Sequence, residues 1–386
     1  MPNVPATLIC PFCSSHQTEN IPDNACMPFY KCKNCGKVIR AKKGDCCVFC
    51  SYSNTVCPLK QSGHKPKLWF VGFVILGFIA LLVFFSRNVN QPPLETMFLN
   101  SGLYTNTFIH SIPLELVLDG GPRKDGIPAL NHPKFTTLAA ALSEFPEQGF
   151  GILVQIGSTV RYYPFSILTY HEIVNDTIEG QPVLITFCPL CGSAIVFDSR
   201  VDSETLGFGV SGKLYESNLL MYDKTSESLW SQILGEAVVG DKTGKKLTVL
   251  LSQMLTFAEV AQKYPQAEVL SKETGFSRNY DISPYGDYDE NDEIYFPISV
   301  QDQRFHPKEL MYIVNTNEHS VAFKLNDLMQ LKKAEAIAGS DILIAESEDS
   351  EIVVRNSKNE RLPGYYAMWF SWSIHHQKDG IVWQSP

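Results

Sequence analysis

Between Cys57 and Cys188 the chain has no cysteine, and after Cys191 there is none again. Nine of the eleven cysteines fall in the first 57 residues, so the remaining 329 positions hold a single cysteine pair. Charge is also sparse: 19% of residues are charged against 44% hydrophobic, which excludes a disordered tail. No excess of basic residues exists overall; the net charge of −9 argues against a nucleic-acid binder as a whole. Internal repeats and low-complexity tracts are lacking too, so neither a solenoid nor a collagen-like polymer is expected. A chain of 386 residues is ample for two or three domains with a sizeable core.

What is present is unevenly spread. Residues 1–67 carry nine Lys/Arg against three Asp/Glu, while the rest carries 23 against 38. Dividing the two is an uncharged run of eighteen residues, Leu68 to Phe85 (LWFVGFVILGFIALLVFF). As a helix it would be roughly 27 Å long, about the thickness of a bilayer's hydrocarbon core. A transmembrane helix over 68–86 is therefore expected; a cleaved leader is not, because the run begins 67 residues in and no small-residue cleavage site follows. Lys60, Lys65 and Lys67 precede it and only Arg87 follows closely, so the N-terminus is expected in the cytoplasm and residues 88–386 outside it. The expected organisation is a cysteine-rich module (1–60), a basic linker (61–67), the span (68–86), a second linker (87–110) and an outer domain (111–386).

In the N-terminal module, Cys10-Pro-Phe-Cys13 and Cys32-Lys-Asn-Cys35 form two CxxC pairs eighteen residues apart. Each pair sets two thiolates on one tight knuckle, and two knuckles complete a tetrahedral site, so a zinc-ribbon-like module with zinc on these four cysteines is expected. A second cluster, Cys46, Cys47, Cys50 and Cys57, could bind a second metal or carry thiol–disulfide chemistry. Adjacent Cys46 and Cys47 fit poorly on one small metal site, and Lys42 and Lys43 just upstream favour thiolates, which tilts the reading toward reactive thiols. Residues 7–61, with the string GDCCVFC, resemble the GDCCVxC-domain family, whose members include selenoproteins; the resemblance implies a redox or soft-metal role for that segment.

The outer domain reads as one α+β domain dominated by sheet. Strand-like runs recur at 151–157, 160–165, 182–187, 194–198, 219–223, 246–251 and 340–346, punctuated by Gly, Pro and Asn/Asp. Residues 255–264 read as a helix stopped by Pro265, and 136–144 as a second. The lone pair Cys188 and Cys191, in TFCPLCGSAIVFD, falls between two strand-like runs. Three readings stand open: a redox-active or nucleophilic CxxC, half of a metal site completed by His171 or His306, or a structural disulfide. His171 and Glu172 do not form an HExxH motif because Asn175 stands where the second His is needed, so a zincin is rejected. GFGVSGKL fails as a phosphate loop at Leu214 and as a nucleophile elbow at Lys213. DYDENDE (287–293) lacks a calcium loop's mid-loop Gly and closing Glu and is read as a solvated acidic loop.

DGGPRKDGIPALNHPKF, YPFSILTYHEIVND, PVLITFCPLCGSAIVFDSRV, FGVSGKLYESNLLMYDKTSESLWSQ and FSRNYDISPYGDYD occur in that order. Together they resemble the domain of unknown function 3179 family, with WFSWSIHH similar to its aromatic end motif. Carried to this chain, the family's polar motif residues would be His171, Glu172, Asp176, Cys188, Cys191, Ser211, Tyr215, Asn218, Tyr222, Asp223, Trp230 and Gln232; several of these could simply hold a β core together. The functional expectation is soft-metal or thiol-redox handling, with a soft metal ion or a thiol redox partner. The alternatives are a non-enzymatic ligand-binding or sensor domain with a structural zinc module, and a hydrolase or transferase using Cys188 with His171 as base.

Overall fold

The computed structural model describes residues 4–21, 29–42, 45, 47–54, 98–331, 336–337, 339–348 and 351–384. At the N-terminus, the hairpin of strands Val4–Ile9 and His16–Ile21 and the smaller hairpin of Phe29–Lys31 and Val38–Arg40 surround a small core of Leu8, Tyr30, Ile39 and Phe49.

The described residues of 98–384 build three large sheets and two two-stranded ones, Arg200–Val201 with Glu204–Thr205 and Ile342–Glu348 with Glu351–Asn356. At the centre lies an eight-stranded sheet, ordered Gly380–Trp383, Ser320–Lys324, Leu310–Asn315, Gly364–Met368, Ser193–Asp198, Gln181–Cys188 and Ile173–Ile178, with Thr248–Val249 pairing Ser193–Asp198 off that path. Its strands explain the near-continuous apolar runs in the sequence. Along Gln181–Cys188, Val183, Ile185 and Phe187 enter one core, shared with Ile152, Val154 and Tyr162 of a five-stranded sheet built around Phe150–Ile156 and Thr159–Pro164. Leu184 and Cys188 enter a second core, shared with Val210, Leu214, Met221 and Trp230 of the other five-stranded sheet, built around Phe208–Tyr215 and Asn218–Asp223. A strand alternates its side chains between faces, so a strand buried on both must be apolar at nearly every position.

The helices are short and cap sheet edges. Phe257–Lys263 opens with a capping box in which Thr256 Oγ1 accepts from the amide of Glu259 at 3.3 Å and the Glu259 carboxylate reaches back to the amide of Thr256 at 2.8 Å. The helix expected over 136–144 is reduced to Leu138–Ala141, because Phe135–Thr137 instead pairs with the strand Glu268–Leu270. Of the run 246–251, only Thr248–Val249 is strand, paired to Phe197 and Asp198.

Two expectations are corrected here. The chain is mainly β rather than α+β, with 38% strand and 13% helix. Among the described residues no helix is long and apolar enough to cross a membrane, so they do not contain the expected transmembrane helix on which a single-pass membrane location with residues 88–386 outside the cytoplasm rests. The helices Phe165–His171, Phe257–Lys263 and Trp369–His375 have seven residues each, roughly 10 Å long at 1.5 Å per residue. The run 68–85 lies outside the described residues, as do Cys46 and Cys57.

Candidate functional site

Two cysteine sites stand out, one in each part of the chain. In the N-terminal module both CxxC pairs occupy equivalent knuckles. After Cys10 the chain turns back through Ser14 N to Cys10 O (2.9 Å), and after Cys32 through Gly36 N to Cys32 O (2.8 Å), with Ser14 and Gly36 at φ of 56° and 71°. This turn aims both sulfurs of a pair inward. The Sγ atoms of Cys10 and Cys35 lie 3.8 Å apart and those of Cys13 and Cys32 3.7 Å apart, and all four fall within 4.8 Å of one another. A tetrahedron of zinc–sulfur bonds near 2.3 Å needs sulfurs about 3.8 Å apart, so the donor set fits a tetrahedral metal ion. Hydrogen bonds from Ser15 and Asn34 hold the Cys13 thiol down at about 7. At Cys32 burial pushes the other way, but hydrogen bonds from Ser15 and the amides of Cys35 and Asn34 prevail and hold it at about 5. Thiolates prepared in this way are the form that binds metal. Cys47 and Cys50 lie apart from this group, with their sulfurs 3.4 Å from each other beside the helix Val48–Tyr52.

The second site is the dithiol of the central sheet. Cys188 ends one strand and pairs with Ser193 at the start of the next, so Cys191 rides in the turn between them. Cys191 N donates to Cys188 O at 3.1 Å, and Cys191 O accepts from Met368 N at 2.8 Å, which ties the turn to the start of the helix Trp369–His375. Gly192 completes the turn at φ 55°, where any Cβ would press on Met368 Cγ at 3.1 Å. Both cysteines are buried, at 2% and 0% exposure, and both are thiols.

Polar groups crowd this turn. Cys191 Sγ donates to Ser217 O at 3.2 Å. Beneath it, the Gln232 side chain makes four hydrogen bonds with three neighbours: its oxygen accepts from Ser193 Oγ (2.6 Å) and Asn218 Nδ2 (3.0 Å), and its amide donates to Thr186 Oγ1 (3.0 Å) and Ser193 O (3.2 Å). Thr186 lies two residues before Cys188, hence on the same face of the strand. Burial raises the Cys191 thiol, but hydrogen bonds with Cys188, Ser371 and Asn218 outweigh it and the net shift is downward. Cys188 is pushed well up by burial and then by its hydrogen bond with Cys191. The two sulfurs are thus shifted in opposite directions, Cys188 up and Cys191 down.

Glu172 completes the group. Its carbonyl accepts from Phe187 N at 2.8 Å, which sets it directly across from the residue before Cys188. The side chain is 6% exposed, and burial followed by the charge of Cys188 raises its carboxyl well above the usual range. Tyr285 OH donates to Glu172 Oε1 at 3.3 Å, and Tyr288 OH donates to Leu190 O at 2.7 Å, so the segment 285–288 covers the turn. The expected solvated acidic loop is in this way pinned at one end by a buried tyrosine.

His171 is not part of this group. Its Nδ1 faces Pro128 O at 2.7 Å and its Nε2 faces Tyr280 OH at 2.7 Å, so the ring is satisfied on both sides. Burial lowers its pKa to about 4, which keeps it neutral near pH 7. No hydrogen bond joins it to either cysteine among the described residues. His306 pairs with Asp292 at 2.9 Å, so neither histidine completes a metal site with the dithiol. Asp176 is held by Arg161 (2.8 Å) and Tyr163 OH (2.6 Å), and Asp223 by Trp230 Nε1 (2.9 Å) and Ser226; Tyr222 OH donates to Asp125 at 2.7 Å. Ser211 Oγ donates to Leu220 O, and the Tyr215 ring meets His375 edge-on at 5.6 Å. These motif residues knit the sheets together. Ser217, Tyr285 and Tyr288 belong to the site yet are far from Cys188 in sequence, and no spacing rule would have found them.

The sequence model of a family described as "protein of unknown function (DUF3179)" matches residues 124–362, more than half of the chain. The chain belongs to that family. The match takes in Glu172, Cys188, Cys191, Ser217, Gln232, Tyr285 and Tyr288, whereas the four-cysteine centre lies outside it. No curated protein and no solved structure matches the chain.

Proposed function

We propose that the protein carries out thiol–disulfide redox chemistry at Cys188 and Cys191 and holds zinc at Cys10, Cys13, Cys32 and Cys35. The observation that carries the redox reading is the buried dithiol: Cys188 and Cys191 are free thiols on one hairpin, Cys191 hydrogen-bonded to Ser217 O and Cys188 raised by burial and then by Cys191, with a buried carboxyl nearby that has no cationic partner among the described residues. In the forward direction the Cys191 thiolate attacks one sulfur of a partner's disulfide and expels the other as a thiol. Cys188 then attacks the Cys191 sulfur of the mixed disulfide, releasing the second partner thiol and leaving the Cys188–Cys191 disulfide. One partner disulfide is reduced for each dithiol oxidised. The resemblance of residues 7–61 to the GDCCVxC family supports a soft-metal or redox role for the N-terminal module as well, with Cys47 and Cys50 as its reactive pair.

The test is a redox titration of the purified chain in glutathione buffers, with the peptide containing both cysteines read by mass spectrometry after thiol labelling. Reversible two-electron oxidation with the native fold retained supports the reading. Thiols that stay reduced at every poise would sink it and leave a structural pair. That second reading is favoured by one observation: both sulfurs are buried, Cys188 and Cys191 being 2% and 0% exposed. On the redox reading, segment 283–299 moves to admit a partner.

A further inference from the structure

Glu172 is an unusual place for a carboxylate. It is the C-cap of the helix Phe165–His171 and sits at φ 57°, in the left-handed region that a glutamate enters only at a cost of about 1 kcal/mol or more. Asparagine or glycine would occupy that position with less strain. Its side chain is nearly wholly buried, and among the described residues no lysine, arginine or histidine pairs with it. A buried carboxyl without a cation is costly and calls for a reason beyond packing.

The groups that face it come from three directions. Cys188 approaches from the adjacent strand and Cys191 from the turn that follows. Tyr285 comes from the covering segment with its hydroxyl 3.3 Å from Oε1, and it feels both Glu172 and Cys188. Tyr288 lies against the two cysteines. The imidazole of His171, next in the chain, points away into its own two hydrogen bonds. Every titratable neighbour is thus acidic: Tyr285 meets Glu172 by a hydrogen bond, and Cys188 and Cys191 meet it by charge.

We infer that Glu172 is the acid–base group of the dithiol, taking the thiol proton of Cys188 as that sulfur closes onto Cys191 and returning it when the disulfide is reopened. The inference rests on the redox reading above. In the closing step the S–H bond of Cys188 breaks, its proton goes to a carboxylate oxygen of Glu172, and the S–S bond to Cys191 forms as the partner's sulfur leaves as thiolate. In reverse, the departing Cys188 sulfur receives the proton back. The hydrogen bond from Phe187 N to Glu172 O keeps residue 172 against the strand end that carries Cys188, and the raised affinity for protons caused by burial makes its carboxylate a better base than an exposed glutamate.

The experiment uses the full chain, oxidised glutathione as the disulfide, and peptide-level thiol labelling to follow the mixed disulfide on Cys191 and its closure by Cys188 across pH. In the unaltered protein the closing rate falls as pH drops and the carboxylate takes up its proton. In Glu172→Gln closure is expected to slow on the order of 100-fold and to lose that limb of the pH profile. Glu172→Asp, which keeps a carboxyl one methylene short, recovers the limb and part of the rate. Closure in Glu172→Gln at the unaltered rate with an unchanged pH profile overturns the inference while leaving the redox reading intact. Failure of the unaltered protein to form the Cys188–Cys191 disulfide at all overturns the redox reading itself. If the glutamine form does not fold, the aspartate form decides: an unchanged rate and profile there also overturns the inference.

Discussion

Cys191 donates its thiol hydrogen to the main-chain oxygen of Ser217 at 3.2 Å, joining the tip of a central-sheet hairpin to the tip of a hairpin in the neighbouring sheet. The receiving turn is tight, with Glu216 and Ser217 both at positive φ, 49° and 65°. A β-branched residue is poorly tolerated there. Ser217→Val should destabilise the protein by about 1–3 kcal/mol, read from urea unfolding, whereas Ser217→Gly should be close to neutral. Equal stability of the two variants would remove the turn from the account.

Gln232 is the hub under the dithiol, and its four hydrogen bonds leave nothing to replace it. Gln232→Leu should cost about 2–3 kcal/mol by stranding the hydroxyl of Ser193 and removing the shorter of the two partners of the Asn218 amide. It should also change the reactivity of Cys191, since Asn218 helps hold that thiol down. The check is chemical denaturation alongside the rate of thiol labelling at residue 191.

Metal should be lost from the N-terminal module when either knuckle is broken. Cys32→Ser is expected to abolish stoichiometric zinc measured by elemental analysis and to unfold a module whose own apolar core is small. The thermal transition of residues 98–384 should be unmoved. Retained zinc in that variant would mean that the ion is held elsewhere.

Stability should fall in acid through His171 and His375, both brought down to about 4 by burial. Their folded-state affinity for protons lies below the unfolded value near 6.5, so between those limits the unfolded chain binds more protons and stability rises with pH. As pH drops from about 6.5 toward 4, His171 alone should remove about 2–3 kcal/mol. Replacing it with glutamine should flatten part of that slope and leave the His375 part in place. A slope unchanged by the substitution would contradict the burial of the ring.

The strands of the central layer were legible because burial on two faces demands an apolar residue at almost every position, as in residues 182–187 and 194–198. The helix after Thr256 was legible through its apolar pattern and Pro265 behind it, whereas the capping box at its start shows only in the structure. Residues 136–144 misled for the opposite reason: a helical pattern gave way at Phe135–Thr137 to pairing with a strand more than 130 residues away. CPLCG was recognisable from spacing alone as a turn between strands. Its partners were not. Attention fell on His171, whose ring proves to be a structural pin, while the adjacent glutamate, turned the other way by its backbone, meets the cysteines. Ser217, Tyr285 and Tyr288 arrive only through tertiary contact.

The order of strands in the central sheet has a bearing on synthesis. Residues 173–198 emerge from the ribosome well before the strand that flanks them, Gly364–Met368, and the amide of Met368 that seals the cysteine turn. Until then the hairpin bearing Cys188 and Cys191 is an open sheet margin. On the nascent chain these sulfurs are open to any oxidant present, and the arrival of residues 364–368 is the closure that ends that exposure.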